Sequence, residues 1–233
     1  MRKLTVLLLA ALLLVAAGCG DEKKDERASG GGSADTAATT TGPETTPQAS
    51  NGCETVEAPP AKEDGGQKKP AEDLEPGTTY RLKVDTSCGG FTIELDQKQS
   101  PNASASLVSL AEKKFFDGTV FHRIVPGFVI QGGDPTAAGS GGPGYSTRDK
   151  VPSDASYKLG TVAMAKTGAE PAGTAGSQFY VVTGANAGLP PDYAIVGKVV
   201  EGDDVVQRIA QLGGPDEQPT QPVVIKTVTV EES

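Results

Sequence analysis

FHRIVPGFVIQGGDP, residues 121–135, sets the only histidine of a 233-residue chain directly beside an arginine. A lone histidine invites reading as a catalytic base, because its ring titrates near neutral pH. Successive side chains on a strand point to opposite faces, however, so His122 and Arg123 cannot both line one site. Alternation groups Phe121, Arg123 and Val125, and sets His122 and Ile124 on the other side. Pro126-Gly127 suits the two central positions of a type II turn, where proline fixes the first φ and glycine accepts a positive second one. The stretch therefore reads as two short strands, 121–125 and 128–132, around a tight turn. This geometry alone favours neither residue, since a strand arginine taken by itself is most often solvated or ion-paired.

The same two-residue period recurs on both sides. Tyr80-Arg81-Leu82-Lys83-Val84-Asp85-Thr86 and Phe91-Thr92-Ile93-Glu94-Leu95 alternate apolar and polar residues around Ser87-Cys88-Gly89-Gly90, a hairpin pattern. Ser100-Pro101 reads as an N-cap followed by proline at the first helical position, with Leu107, Leu110, Ala111 and Phe115 at helical spacing after it. Further strands are expected at 160–165, 178–183, 194–199 and 223–230, and a second helix at 203–211 with Val205, Val206 and Ile209 inward. Many short strands with two helices point to a mainly β fold, a closed barrel or a sandwich, in one domain over residues 79–233.

Composition and motifs exclude several classes. Net charge is −9, without the basic stripe of a nucleic-acid binder. Gly139-Ser140-Gly141-Gly142-Pro143-Gly144 matches G-x-G-x-x-G in form only. No strand leads into it and Pro143-Gly144 does not open a helix, so it reads as a glycine loop rather than a dinucleotide site. There is no phosphate loop, the Cys and His residues do not approach zinc spacing, and no metal or cofactor is expected. A serine hydrolase would need His122 as its base, yet Gly176-Ser177-Gln178-Phe179 lacks the second glycine of a nucleophile elbow.

The N-terminus reads as an export signal. Arg2 and Lys3 precede an apolar run over 4–17 of about 14 residues. That is short of the roughly 20 residues that span a bilayer, but suits a signal-peptide core. Val15-Ala16-Ala17-Gly18-Cys19 resembles a bacterial lipobox, with Ala16 where leucine is usual. The expectation is a lipoprotein signal over 1–18 and a lipidated Cys19 that anchors an extracytoplasmic protein to the cell membrane; an ordinary secretory signal is the other reading. Residues 19–78, rich in Ala, Gly, Ser, Thr, Pro and charge, show no apolar periodicity and read as a disordered tether. Cys53 and Cys88 remain as an even pair in a compartment where disulfides persist, so a bond between them is expected, with two free thiols as the alternative.

The opening segment, Phe121 through Asp134, resembles the signature segment of the cyclophilins, the peptidyl-prolyl isomerase family. Met164-Ala165, Gly176-Ser177-Gln178-Phe179-Tyr180 and Val196-Gly197-Lys198-Val199 extend the resemblance in order and spacing across residues 80–230. It implies a closed eight-stranded antiparallel β-barrel capped by two α-helices. It implies Arg123 as the donor to the substrate imide nitrogen, with Phe128 and Gln131 beside it as catalytic residues. Phe128, Val129, Tyr180 and Leu189 would floor a proline pocket, and Ala165, Lys166, Gln178 and Tyr193 would complete the substrate site. Departures from the family lie in the floor, at Val129 and Tyr180, and at the rim, at Lys166, Gly188 and Tyr193. Val129 stands where methionine is common, Tyr180 where phenylalanine is common, Lys166 where asparagine is frequent and Tyr193 where many members have histidine. Gly188 takes the place of a tryptophan that favours cyclosporin binding, so weak cyclosporin affinity is expected.

The chemistry is consistent with arginine rather than histidine. Rotation about a peptide bond faces a barrier of about 18–20 kcal/mol from C–N resonance. Lowering it needs no nucleophile, proton transfer or metal. It needs a donor aimed at the imide nitrogen, whose lone pair returns only as the bond twists, so the hydrogen bond forms in the transition state and hardly in the ground state. Arginine stays charged and presents a rigid fork. The expected function is isomerisation of X–Pro bonds in unfolded or exported polypeptides by a membrane-tethered monomer. The competing reading is an extracytoplasmic peptide-binding or chaperone module with weak or no isomerase activity.

Overall fold

Residues 51–233 are described by the computed structural model. The signal over 1–18, Cys19 and the tether up to residue 50 lie outside the described residues. The hairpin read at 80–95 is present as β1 (Tyr80–Thr86) and β2 (Gly89–Leu95). Its alternation buries Leu82 and Val84 opposite Ile93 and Phe91. Two short strands follow helix α1 (Pro101–Glu112): β3 (Thr119–Val120) and β4 (Arg123–Val125). Then come β5 (Val129–Gly132), β6 (Thr147–Arg148), β7 (Thr161–Met164), β8 (Thr174–Ala175), β9 (Phe179–Val182) and β10 (Ile195–Glu201). Helix α2 (Asp203–Ala210) and β11 (Val224–Glu232) complete the chain.

Nine strands form one curled antiparallel sheet in the order β3-β11-β1-β2-β10-β7-β9-β5-β4, and β6 pairs with β8 apart from it. The expected closed eight-stranded barrel is thus corrected to a nine-stranded sheet with a seam. The edge strands β3 and β4 hold two and three residues. Phe121 and His122, buried between them, interrupt the ladder, and a single bridge from Val120 to Asp134 crosses the gap. Inside the curl, Val84, Phe91, Ile93, Ile124, Ile130 and Val181 pack with Leu107 and Leu110 of α1 and Val206 and Ile209 of α2 in one core.

Ser100 precedes α1 as read, with proline in the first turn, but its hydroxyl donates to the Ile195 carbonyl at 2.7 Å and caps nothing. The cap comes from Asp149, whose carboxylate accepts the Asn102 and Ala103 amides at 3.0 and 2.8 Å. Two unpaired N–H groups of the first turn are satisfied from a distant loop.

The disordered tether expected through residue 78 does not extend over its last part. Cys53 is fully buried and bonded to Cys88. Lys62, Gly65 and Gln67 donate their amides to the carbonyls of Pro135, Gly142 and Pro143 at 2.8–2.9 Å. The Lys62 ammonium donates to the Phe115 and Asp117 carbonyls at 2.6 and 3.0 Å. Residues 51–78 therefore lie on the domain as an irregular strap. Lacking apolar periodicity, the strap is held by backbone hydrogen bonds, a lysine and a disulfide rather than by an apolar face.

Candidate active site

Arg123 starts β4 and pairs across the sheet with Gln131 of β5, which pairs with Tyr180 of β9, which pairs with Ala163 of β7. Directly opposed residues share a face, so register alone puts these four side chains in a row on the side away from the main core. Val125, Val129 and Val182 form the next row. On this face Val129, Tyr180, Ala163, Val182 and Tyr157 make a second apolar cluster, with Phe128, Ala165, Leu189 and Tyr193 packed against it. Every residue read as flooring a proline pocket falls in that cluster.

The turn before β5 sets Phe128. Gly127 has φ 71, the Phe128 amide donates to the Val125 carbonyl at 3.0 Å, and the Phe128 carbonyl accepts from Thr183 at 2.9 Å. The Arg123 guanidinium carbon lies 5.7 Å from the Phe128 ring centre. One guanidinium nitrogen, Nη1, makes a long 3.5 Å hydrogen bond to Gln131 Oε1. Gln131 Nε2 donates to Gln178 Oε1 at 3.0 Å, and Gln178 Nε2 donates to the Gly141 carbonyl at 2.9 Å. A polar relay thus runs from Arg123 into the glycine loop. Asp134 ties that loop, accepting from Thr136 N at 2.7 Å and Gly141 N at 3.1 Å. Burial alone would raise the Asp134 carboxyl, but these hydrogen bonds outweigh it and hold it below the usual carboxylate range. A cleft of about 510 Å³ opens between Gln131 and Gln178, the glycine loop, Ala165 and Asp64 of the strap; Arg123 does not line it. A larger cleft of 750 Å³ beside residues 73–79 includes neither Arg123 nor Gln131.

The structure changes the face read for Phe121 and shows the surroundings of His122 and Lys166. Phe121 does not share a face with Arg123. It is fully buried with Ile124, because the strand starts only at Arg123 and the two-residue period does not reach back past His122. His122 is buried beside Gly139 of the glycine loop, and neither ring nitrogen has a hydrogen-bond partner among the described residues. Burial lowers its pKa, opposed by the Asp134 carboxylate and reinforced by Arg123, so the ring is neutral at pH 7. The Lys166 side chain is 2% exposed and turned away from substrate: its ammonium pairs with Asp192, donates to the Glu170 carbonyl at 3.0 Å and sits 5.5 Å above the Tyr193 ring. Only the Lys166 main chain remains for a peptide, while the Ala165 amide already donates to the Gln178 carbonyl.

Two residues of the site carried no signal in the sequence. Tyr157 OH donates to the Tyr193 carbonyl at 2.8 Å and accepts from the Tyr193 amide at 3.0 Å, fixing the pocket wall. Glu217, 94 residues beyond Arg123, accepts a 2.6 Å hydrogen bond from Arg123 Nε. That bond and the guanidinium charge hold the Glu217 carboxyl below its ordinary value. Tyr180 stacks edge-on with Tyr193, and its hydroxyl is buried without a hydrogen-bond partner among the described residues. Burial, then Tyr157 and Tyr193, push that phenol far above its usual pKa.

A family model for cyclophilin-type peptidyl-prolyl cis-trans isomerases matches residues 81–230. The chain belongs to the cyclophilin family. Among its relatives, this cyclophilin is 34% identical over 174 residues to peptidyl-prolyl cis-trans isomerase A of Mycobacterium tuberculosis, covering 66% of this chain and 94% of that one. It is 38% identical over 163 residues to the spliceosome-associated protein CWC27 homolog of Xenopus laevis, covering 67% of this chain and 33% of that one. The solved cyclophilin-type isomerase of Cryptosporidium parvum superposes with a TM-score of 0.61 at 27% identity, covering 66% of this chain and 99% of that one. A second structure of it, in the presence of the dipeptide Ala-Pro, gives the same TM-score at 28% identity. This cyclophilin is a peptidyl-prolyl cis-trans isomerase, and its substrates are proline-containing polypeptides.

Proposed function

We propose that Arg123 supplies the hydrogen bond to the imide nitrogen, that Phe128, Val129, Tyr180 and Leu189 hold the proline ring, and that Gln131 and the main chain near Ala165 hold the peptide. The observation that carries this is a guanidinium joined to Gln131 and set 5.7 Å from Phe128, which packs on the apolar cluster of Val129 and Tyr180. The twisted nitrogen gains its acceptor character only in the transition state, so a fixed donor there lowers the barrier without tightening the ground state. The Ala-Pro dipeptide present with the Cryptosporidium relative supports a prolyl ligand. Exchange NMR on a short X–Pro peptide tests the donor role. Arg123→Lys keeps the charge but loses the planar fork, and turnover should fall at least tenfold. Equal rates would contradict the role.

The enzyme acts, on this reading, outside the cytoplasm as a monomer tethered by lipid on Cys19, with exported polypeptides as clients. The basic head, the apolar run over 4–17 and the small residues before Cys19 support it, and a Cys53–Cys88 bond suits an oxidising compartment. Palmitate labelling should fail in Cys19→Ser, and that variant should leave the membrane fraction; retained label and membrane binding would contradict it. Cyclosporin affinity is weak, because Gly188 offers no side chain and the chain has no tryptophan. Nanomolar inhibition would contradict this.

A further inference from the structure

We infer that Glu217 is a positioning residue for Arg123, latching the guanidinium in its working orientation; this rests on Arg123 as the donor. The outer edge of β4 is covered by the loop over 213–219, and that loop is built closely against the strand. The Ile124 amide donates to the Glu217 carbonyl at 2.8 Å, the Glu217 amide donates to the Gly214 carbonyl at 3.1 Å, and Gly213 bridges to Pro219. A Cβ at Gly213 would stand 2.6 Å from both the Ile124 carbonyl oxygen and Pro126 Cδ. So Glu217 grips the strand through its main chain one residue from Arg123, and then turns its carboxylate onto Arg123 Nε at 2.6 Å.

The backbone at Glu217 makes the choice of residue informative. Its φ is 61, in the left-handed region that glycine or asparagine adopts with less strain. A larger residue held there signals a side-chain task. The carboxylate is what glycine could not supply. With Nε taken by Glu217, Nη1 directed at Gln131 and the plane 5.7 Å from Phe128, the guanidinium has contacts on three sides. A flexible arginine would otherwise have to be ordered during each turnover, and small misplacement of a catalytic group lowers rates steeply.

The test is steady-state isomerisation with Glu217→Ala, Glu217→Gln and Arg123→Ala, together with Glu217→Ala in the Arg123→Ala background. The Arg123 Nε–H resonance of the intact chain and the melting temperature are recorded for each. Glu217→Ala should lower kcat roughly five- to tenfold with KM within about twofold, shift the Arg123 Nε–H resonance and leave the melting temperature nearly unchanged. Glu217→Gln, which can still accept from Nε, should recover most of the rate. In the Arg123→Ala background, removing Glu217 should change nothing. If Arg123→Ala is slow but Glu217→Ala keeps wild-type kcat or exceeds it, the latch is wrong and the donor stands. If Arg123→Ala is itself as fast as wild type, both fail together.

Discussion

Tyr180 and His122 each carry a prediction that follows from their immediate surroundings. The Tyr180 hydroxyl is buried without a hydrogen-bond partner among the described residues, so Tyr180→Phe removes a desolvated polar atom and keeps the ring. Urea unfolding should show a gain of about 1 kcal/mol, with isomerase activity kept within about threefold. His122 is buried and neutral, and its folded pKa lies below its ordinary value. The unfolded chain therefore takes the proton first. Stability contributed by the neutral ring is present above about pH 6.5 and is lost as pH falls below that. His122→Gln should flatten the slope of stability against pH just below 6.5 while leaving turnover near wild type; a folded but inactive variant would restore histidine as the working residue. The grouping of Arg123 with Gln131 and Phe128 was legible in the sequence because Phe121 through Asp134 is a long motif. Glu217 was not, since its only tie to Arg123 is made by folding across 94 residues.

Elements were legible where the two-residue or helical period ran for several residues. The 80–95 hairpin, α1, α2 and β11 stand close to where alternation and spacing placed them. The two-residue strands β3, β6 and β8 have no period to read and exist only through their partners. The same holds for the cap of α1. Serine before proline suggested a local cap, but the amides are met by Asp149, 46 and 47 residues away. Asp149→Ala should lower stability by about 1 kcal/mol in urea unfolding, whereas Ser100→Ala should leave those two amides satisfied. The strap over 51–78 was the largest misreading, because backbone hydrogen bonds to the glycine loop leave no trace in composition. Cys53→Ser with Cys88→Ser should lower stability by roughly 4 kcal/mol, as a loop of this length predicts.

At the scale of the whole molecule, one curled sheet divides its labour between two faces. The inner face, with the two helices, forms the main core; the outer face near the seam carries the second apolar cluster and Arg123. The proposed working row, Arg123-Gln131-Tyr180-Ala163, is set by strand register, so its side chains are placed by the sheet that bears them. Its chemistry requires no mobile acid or base, only a donor held where the twisted nitrogen will be. The most direct test is catalysed isomerisation of an X–Pro peptide by residues 51–233, which contain the folded sheet and strap, compared with the same fragment carrying Arg123→Ala. The account predicts a folded variant slowed about a hundredfold, equivalent to about 2.7 kcal/mol of transition-state stabilisation. A folded variant that isomerises at the wild-type rate would contradict it.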